Sequence, residues 1–148
     1  MKIYMDVCCL NRPFDDLAQE RIQFESDAVL SIISRCECKQ WELVSSEVID
    51  LEMKKQTDLE RLKKVQALYS ISGERLIVTK QVKNKSEEFR NHGIKLFDSL
   101  HLAVAEVNCV DVFLTTDDAL LRAAERIAIG IIVANPVTWL MEVLRNER

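Results

Sequence analysis

Four acidic residues of this chain stand at positions where an ionised carboxylate calls for an explanation. Asp98 falls in the run 96–107, whose apolar residues cover almost the whole circumference of a predicted helix. A carboxylate in such surroundings costs several kcal/mol unless a positive group neutralises it. Asp6, Glu47 and Asp117 each come at or just after the end of a short apolar segment. If these acids meet in the fold, they must share a cation.

The residue types indicate which cation that would be and what it would do. Clustered carboxylates repel one another, so without a cation some of them retain protons at a raised pKa. Oxygen ligands favour hard ions, Mg²⁺ or Mn²⁺, over zinc or copper. One such ion can generate hydroxide for in-line attack, and a second can stabilise the leaving oxygen. The four acids therefore predict phosphodiester hydrolysis.

Alternating apolar segments predict the elements that bring these acids together. Strands are predicted at 2–5, 42–44, 76–78, 112–114 and 131–134, with helices at 17–35, 48–56, 58–71, 80–92, 96–107, 119–126 and from 136 onwards, and a loop at 11–16. Strands separated by helices predict a parallel sheet covered on both faces. Ligands bind beyond the carboxyl ends of such strands, which is where Asp6, Glu47 and Asp117 are expected.

Composition limits the class of protein without deciding its function. The length of 148 residues predicts one domain, 1–148, and 48% hydrophobic with 30% charged residues is an ordinary soluble balance. Five cysteines without C-x-x-C spacing argue against a disulfide framework or a zinc site. No segment resembles a signal peptide or a membrane span, so we expect a cytoplasmic protein without a membrane partner. The net charge of −4 disfavours nucleic acid at face value, but metal-neutralised acids would offset it.

Four short motifs carry a family resemblance over nearly the full chain. They are Y-M-D near the N-terminus, S-S-E-V after the second strand, F-D-S-L-H-L-A-V-A on a helix, and F-L-T-T-D-D after the fourth strand. Together they resemble the PIN-domain family and its VapC-like group. The resemblance implies a three-layer α/β/α domain with a five-stranded parallel sheet. It also implies an endoribonuclease that uses Mg²⁺ or Mn²⁺, with Asp6, Glu47, Asp98 and Asp117 as catalytic metal ligands.

The same resemblance implies partners and accessory residues. Such single domains are commonly the toxin of a type II toxin–antitoxin pair, which implies an RNA substrate, a small antitoxin protein and a homodimer. Thr115 matches the small polar residue before the last acid of the family motif. Many relatives have a hydroxyl soon after the first acid, where this chain offers Asn11 as the nearest polar residue. The doublet Asp117-Asp118 leaves the fourth acid open, although the T-x-D spacing favours Asp117.

Several residues have a second, structural interpretation. Glu47 could complement the dipole of its helix, and one of the doublet acids could cap the following helix. Arg12 could bind a substrate phosphate or form a loop salt bridge to Asp15 or Asp16. His101 could touch the site, but packing or hydrogen bonding in the core is the more ordinary role.

Two other functional classes are alternatives to the nuclease. A catalytically silent PIN-like module that binds nucleic acid or protein would keep the fold and lose turnover. A phosphoacceptor receiver domain also places acids at strand ends, but it requires an aspartate after the third strand. Here that strand runs into Thr79 and Lys80, which excludes the receiver class.

Overall fold

A computed structural model describes residues 1–147 of the chain. The strands are β1 (Lys2–Met5), β2 (Glu42–Leu43), β3 (Ser45–Ser46), β4 (Arg75–Leu76), β5 (Val112–Leu114) and β6 (Ile132–Ala134). The helices are α1 (Val7–Asn11), α2 (Glu20–Glu37), α3 (Glu47–Met53), α4 (Leu59–Tyr69), α5 (Lys80–Asn91), α6 (Leu96–Val107), α7 (Asp118–Arg126) and α8 (Pro136–Asn146), and a 3-10 turn spans Arg12–Phe14. Strands and helices alternate, as predicted for an α/β fold.

The central sheet is parallel and has four strands in the order β2-β1-β5-β6. β3 and β4 form a separate parallel pair, so the predicted continuous five-stranded sheet is wrong in this detail. The chain changes partner at Val44: the backbone N of Val44 donates to Ile3 O at 3.0 Å, whereas the N of Ser45 donates to Glu74 O at 2.8 Å. The predicted second strand is thereby divided between two neighbours.

Both faces of the sheet are covered by helices. Tyr4 and Met5 are adjacent in β1, and Phe113 and Leu114 are adjacent in β5, yet all four are buried. Because successive side chains of a strand point to opposite faces, burial of both members of each pair requires a helical layer on each side. The arrangement confirms the predicted α/β fold with helices flanking a parallel sheet.

Helix α6 is the most buried helix segment near the sheet edge, as its sequence predicts. Its residues Ser99, His101 and 102–105 are buried, and it packs against α5 and α3. It is nevertheless short: within residues 1–147, no helix combines the length and the apolar character that crossing a membrane demands. Asp98 lies in the first turn of this packed helix.

The structure adds a short helix, α1, directly after β1 and a 3-10 turn within the loop predicted at 11–16. Asp6 accepts a hydrogen bond from Cys9 N at 3.0 Å and thereby caps α1, so the chain becomes helical immediately after the strand. The 3-10 turn Arg12–Phe14 follows, with Pro13 in its first positions. The cap places the carboxylate of Asp6 at the junction of strand and helix.

Candidate active site

Asp6 lies in the protein interior at the carboxyl end of β1. Its backbone N donates to Leu114 O at 3.2 Å, which ties it to the neighbouring strand, and the residue is only 3% exposed. Burial raises the pKa of Asp6 to about 6. Hydrogen bonds from Thr115 and Cys9 lower the pKa, while the charge of Asp98 raises it further. The carboxylate is thus held in place in surroundings that disfavour its charge.

Asp98 lies in the first turn of α6, where its side chain is half-buried. Burial is the largest cause that raises the pKa of Asp98, followed by the negative charge of Asp117; Glu52 adds to the effect. The charges of His101 and Lys95 lower the pKa in part. Asp98 therefore faces other carboxylates, as its apolar sequence context suggested.

Asp117 caps α7 just beyond the end of β5. Its Oδ1 accepts hydrogen bonds from Ala119 N at 2.9 Å and Leu120 N at 3.2 Å. Its own backbone N donates to Thr115 Oγ1 at 3.1 Å. Since the Thr115 hydroxyl also lowers the pKa of Asp6, this buried threonine lies close to two of the predicted acids.

Asp118 points away from the other acids. Both of its carboxylate oxygens accept from the guanidinium of Arg21 at 2.7 Å. This bidentate pair holds the pKa of Asp118 below its ordinary value. The structure therefore distinguishes the two members of the doublet: Asp117 faces the cluster and Asp118 is neutralised at the surface by α2.

Glu47 is the predicted site residue that the structure places elsewhere. It begins α3, and its Oε2 accepts from Val78 N at 3.2 Å, on the side of the β3–β4 pair. The carboxylate that acts on Asp98 from the same helix is that of Glu52. Five residues of α-helix turn by about 140° beyond a full turn, so these two glutamates leave α3 in different directions. We therefore propose Glu52, in place of Glu47, as the acid that α3 contributes to the candidate site.

A sequence signal for Glu52 was present. Val48, Ile49 and Met53 are the buried residues of α3, and Glu52 follows Val48 by four and Ile49 by three residues. These spacings place Glu52 on the apolar stripe of the helix. An acid on an apolar stripe is the same signal that singled out Asp98. Glu47 was predicted instead of Glu52 because Glu47 lies directly after a strand.

A buried chain of hydrogen bonds holds Glu52. Its Oε1 lies 2.6 Å from His101 Nε2, His101 Nδ1 lies 2.6 Å from the Tyr4 hydroxyl, and that hydroxyl lies 2.7 Å from Ser46 Oγ. Ser46 Oγ also accepts from Ile49 N at 3.0 Å. All contacts are satisfied if Ser46 donates to Tyr4, Tyr4 donates to Nδ1, and Nε2–H donates to Glu52. His101 thus hydrogen-bonds in the core, as predicted, and also touches the site.

Two of the acids, Glu52 and Asp117, line an open cavity of about 610 Å³. It is lined by Val7, Cys8, Asn11, Arg12, Asp15, Glu52, Gln56, Asp58, Arg61, Thr116 and Asp117. Partial burial raises the pKa of the Cys8 thiol to about 12, and the charges of Asp6, Glu52, Asp117 and Asp98 all act in the same direction. The charges of all four carboxylates therefore raise the pKa of the same thiol, which indicates that all four lie in its vicinity.

The predicted accessory residues Asn11 and Arg12 also lie on this cavity. Asn11 Oδ1 accepts from Arg61 Nη1 at 3.2 Å. Arg12 donates from Nη1 to Asp15 at 2.8 Å and from Nε to the buried Glu25 at 2.9 Å. The predicted loop salt bridge of Arg12 to Asp15 is thereby confirmed.

The donor set fits a hard divalent cation in its chemistry, although its side chains are not gathered into a finished site. Within residues 1–147, no three Asp, Glu, His or Cys side chains are close enough to hold one metal ion together. In the same range, no lysine or arginine forms a salt bridge with Asp6, Glu52, Asp98 or Asp117. His101 contacts Glu52 at 2.6 Å, whereas Asp6, Asp98 and Asp117 form no salt bridge among these residues, so a divalent ion would supply the missing positive charge.

The burial of Asp6 predicts a pH dependence of stability in metal-free protein. Its folded-state pKa of about 6 exceeds the ordinary 3.8, so the folded state binds more protons in between. The free energy of unfolding should therefore fall as pH rises from about 4 through about 6, by up to about 3 kcal/mol. Urea unfolding of the parent and of Asp6→Asn in EDTA measures this as the difference between the two proteins. A difference that does not change with pH would contradict the assignment.

Comparison with known proteins supports the fold. No family model matches the sequence, and the search of curated proteins gives no match. Among solved structures, the chain is similar to one in the crystal structure of VapBC2 from Rickettsia felis bound to a DNA fragment from their promoter, with a TM-score of 0.61. The fold is PIN-like. Sequence identity is 15%, over 91% of this chain and 98% of the VapBC2 chain, so the likeness concerns the fold and leaves the chemistry to the site itself.

Proposed function

We propose that the chain is a metal-dependent endoribonuclease that hydrolyses RNA phosphodiester bonds, as the toxin of a type II toxin–antitoxin pair. In this proposal residues 1–148 form one cytoplasmic nuclease domain. The observation that carries it is that Asp6, Glu52, Asp98 and Asp117 all lie near enough to Cys8 for their charges to act on its thiol, while no lysine or arginine of the described residues forms a salt bridge with them. Mg²⁺ or Mn²⁺ held by these residues would supply an activated water and stabilise the leaving oxygen.

The chain's own residues have distinct tasks in this proposal. Asp6 and Asp117 are held by helix caps, so each keeps one carboxylate oxygen in a fixed hydrogen bond and leaves the other for a ligand. Glu52 is held by His101 in the same manner. The carboxylate of Asp98 is not fixed by a side-chain hydrogen bond within residues 1–147, which leaves it available to an ion. Small side-chain rotations would thus complete the site.

Metal-dependent cleavage of RNA is the experiment that tests the proposal. Purified protein with Mn²⁺ is expected to cleave single-stranded or structured RNA, and EDTA is expected to abolish cleavage because the repelling carboxylates cannot act alone. The measurement is product formation from end-labelled RNA oligonucleotides, with Mn²⁺ restored after EDTA as the control. Cleavage that survives EDTA and removal of metal would contradict the proposed mechanism.

The antitoxin partner is assigned to a groove beside the acids. A recess of about 330 Å³ is lined by the apolar Val7, Met53, Leu62, Val65 and Phe97, and it shares Glu52 with the cavity. An antitoxin segment with an apolar stretch and a basic residue would suit this combination of surfaces.

A small reading frame directly upstream of the gene would support the pairing of this chain with an antitoxin. Sedimentation of the isolated protein would test the homodimer that such toxins commonly form.

The alternative is a catalytically silent PIN-like module that binds nucleic acid or protein. The observation that favours it is that no three potential metal ligands of residues 1–147 are gathered together. Such a module would bind its partner without Mn²⁺-dependent turnover, so the cleavage assay separates the two functions.

A further inference from the structure

The cavity beside the four acids has a second wall that carries arginine side chains. Arg12 and Arg61 both line it, with their side chains 24% and 28% exposed. Arg12 comes from the turn after α1 and Arg61 from α4, so two separate elements present a guanidinium to the same space. The cavity therefore holds two of the candidate acids, Glu52 and Asp117, together with two arginines that the proposed metal site by itself does not use.

A shared carboxylate positions the two guanidiniums. Asp15 Oδ2 accepts from Arg12 Nη1 at 2.8 Å, and Asp15 Oδ1 accepts from Arg61 Nη1 at 2.7 Å. Arg12 forms a second ion pair with Glu25, a carboxylate that it shares with Arg21. Arg61 Nη2 is further fixed by Phe14 O at 2.8 Å, and Arg12 Nε by the buried Glu25 at 2.9 Å. These contacts hold the arginines rigidly, which reduces the entropy lost when they bind a ligand.

Each arginine keeps donors for a further ligand. Arg12 uses Nε and Nη1, and Arg61 uses Nη1 and Nη2, in their contacts with residues of the 1–147 range. Arg12 Nη2 and Arg61 Nε are therefore the groups with remaining hydrogen-bonding capacity. Guanidinium donors match the oxygens of a phosphate, and half to two-thirds of protein contacts to nucleic acid are of this backbone kind.

A threonine on the cavity lacks a hydrogen-bond partner. Thr116 lines the cavity and is only 5% exposed, and its Oγ1 is buried without a partner in residues 1–147. A buried hydroxyl without a partner costs about 1–3 kcal/mol, so such groups normally have a ligand or an ordered water. Rotation about χ1 exchanges the hydroxyl and the methyl group of threonine, which would offer Oγ1 to a phosphate oxygen.

We infer that Arg12, Arg61 and Thr116 form a phosphate-binding subsite that holds the RNA backbone next to the four acids. This inference rests on the proposed nuclease function, because the acids of the same cavity need a cation before a polyanion can approach them. The cavity of about 610 Å³ lies within the range of small-ligand sites and accommodates part of an RNA strand at its open side. The subsite would anchor a phosphate that flanks the bond to be cut.

Salt dependence of RNA binding tests the subsite. Binding of a fluorescein-labelled single-stranded RNA is measured by anisotropy in Mn²⁺, in the Asp98→Asn background so that the probe is not consumed. Arg12→Gln and Arg61→Gln are each expected to weaken binding and to lower the slope of log Kd against log salt by about 0.7, the value for one phosphate of a single strand. Arg61→Lys retains the charge and should restore the slope.

Two further variants make the test specific. Thr116→Val is expected to weaken binding about three- to tenfold without a change of slope, because it removes a neutral hydrogen bond. Arg75→Gln is the matched control, since Arg75 also forms a close ion pair, with Asp50 at 2.7 Å, but lines a different recess. It should leave affinity and slope unchanged. Circular dichroism and thermal unfolding verify that each variant is folded.

The outcomes separate the subsite from the nuclease proposal. If RNA is cleaved but the slopes of the Arg12 and Arg61 variants equal that of Arg75→Gln, the subsite is refuted and the nuclease stands. If the slopes fall as expected but the parent never cleaves RNA, the subsite stands and the silent binding module replaces the nuclease. Unchanged affinity of Thr116→Val would remove Thr116 from the subsite.

Discussion

Asp98→Asn is expected to lower the rate of Mn²⁺-dependent RNA cleavage by at least about 100-fold. Even residues that only hydrogen-bond a metal ligand typically cost 10–100-fold when they are replaced, so loss of a ligand's own charge should cost more. Asparagine has nearly the same shape as aspartate, and therefore the packing of α6 should be preserved. The measurement is the initial rate on a defined RNA oligonucleotide at saturating Mn²⁺.

The stability of the same variant distinguishes a functional acid from a structural one. Burial and neighbouring carboxylates raise the pKa of Asp98, so its ionised form is disfavoured in the folded state. Removing that charge should leave the melting temperature unchanged or raise it in EDTA at neutral pH. Asp118→Asn is the matched control, because Asp118 is exposed and paired with Arg21. Parental cleavage by Asp98→Asn would remove this residue from the site.

The second large effect on the rate of RNA cleavage is expected from a comparison of Glu52→Gln with Glu47→Gln. Both changes remove one carboxylate from α3 and keep the size of the side chain. Glu52→Gln should reduce cleavage by at least about 100-fold, because the charge of Glu52 acts on Asp98. Glu47→Gln should stay within about twofold of the parent, as for a substitution outside the site. The reverse order of the two rates would restore Glu47 and discard the assignment from the structure.

The affinity for Mn²⁺ tests the roles of His101 and Tyr4, the side chains of the hydrogen-bonded chain that holds Glu52. Glutamine at position 52 can still accept the hydrogen bond from His101, so the variant isolates the charge. His101→Gln and Tyr4→Phe instead keep the charge and disturb the buried chain that orients it. Each should weaken Mn²⁺ binding by about 10–100-fold in an EPR titration. Unchanged affinity in both variants would show that the chain serves only to pack the core.

Much of the site was predictable from local sequence. Asp6 and Asp117 follow apolar strands, and parallel strands bring their carboxyl ends to one edge of the sheet, so these acids had to lie near each other. Asp98 was evident from its apolar helix. These signals depend only on neighbouring residues and on general rules for α/β sheets, which is why they predict the fold class that the structure confirms and single out three of the four acids of the proposed site.

What the tertiary structure decided depends on contacts between distant parts of the chain. The direction of α3 relative to α6 selects Glu52 and turns Glu47 toward Val78. Arg21, which is 97 residues from Asp118, neutralises that acid and leaves Asp117 in the cluster. Val44 divides one predicted strand between two partners because the chain leaves β1 for β4 at that point. The sequence by itself determined which acids stand in apolar surroundings or at strand ends. Only the packing of the elements determined which of these acids face one another, because the rotation of a helix and its long-range ion pairs cannot be predicted from the local spacing of residues.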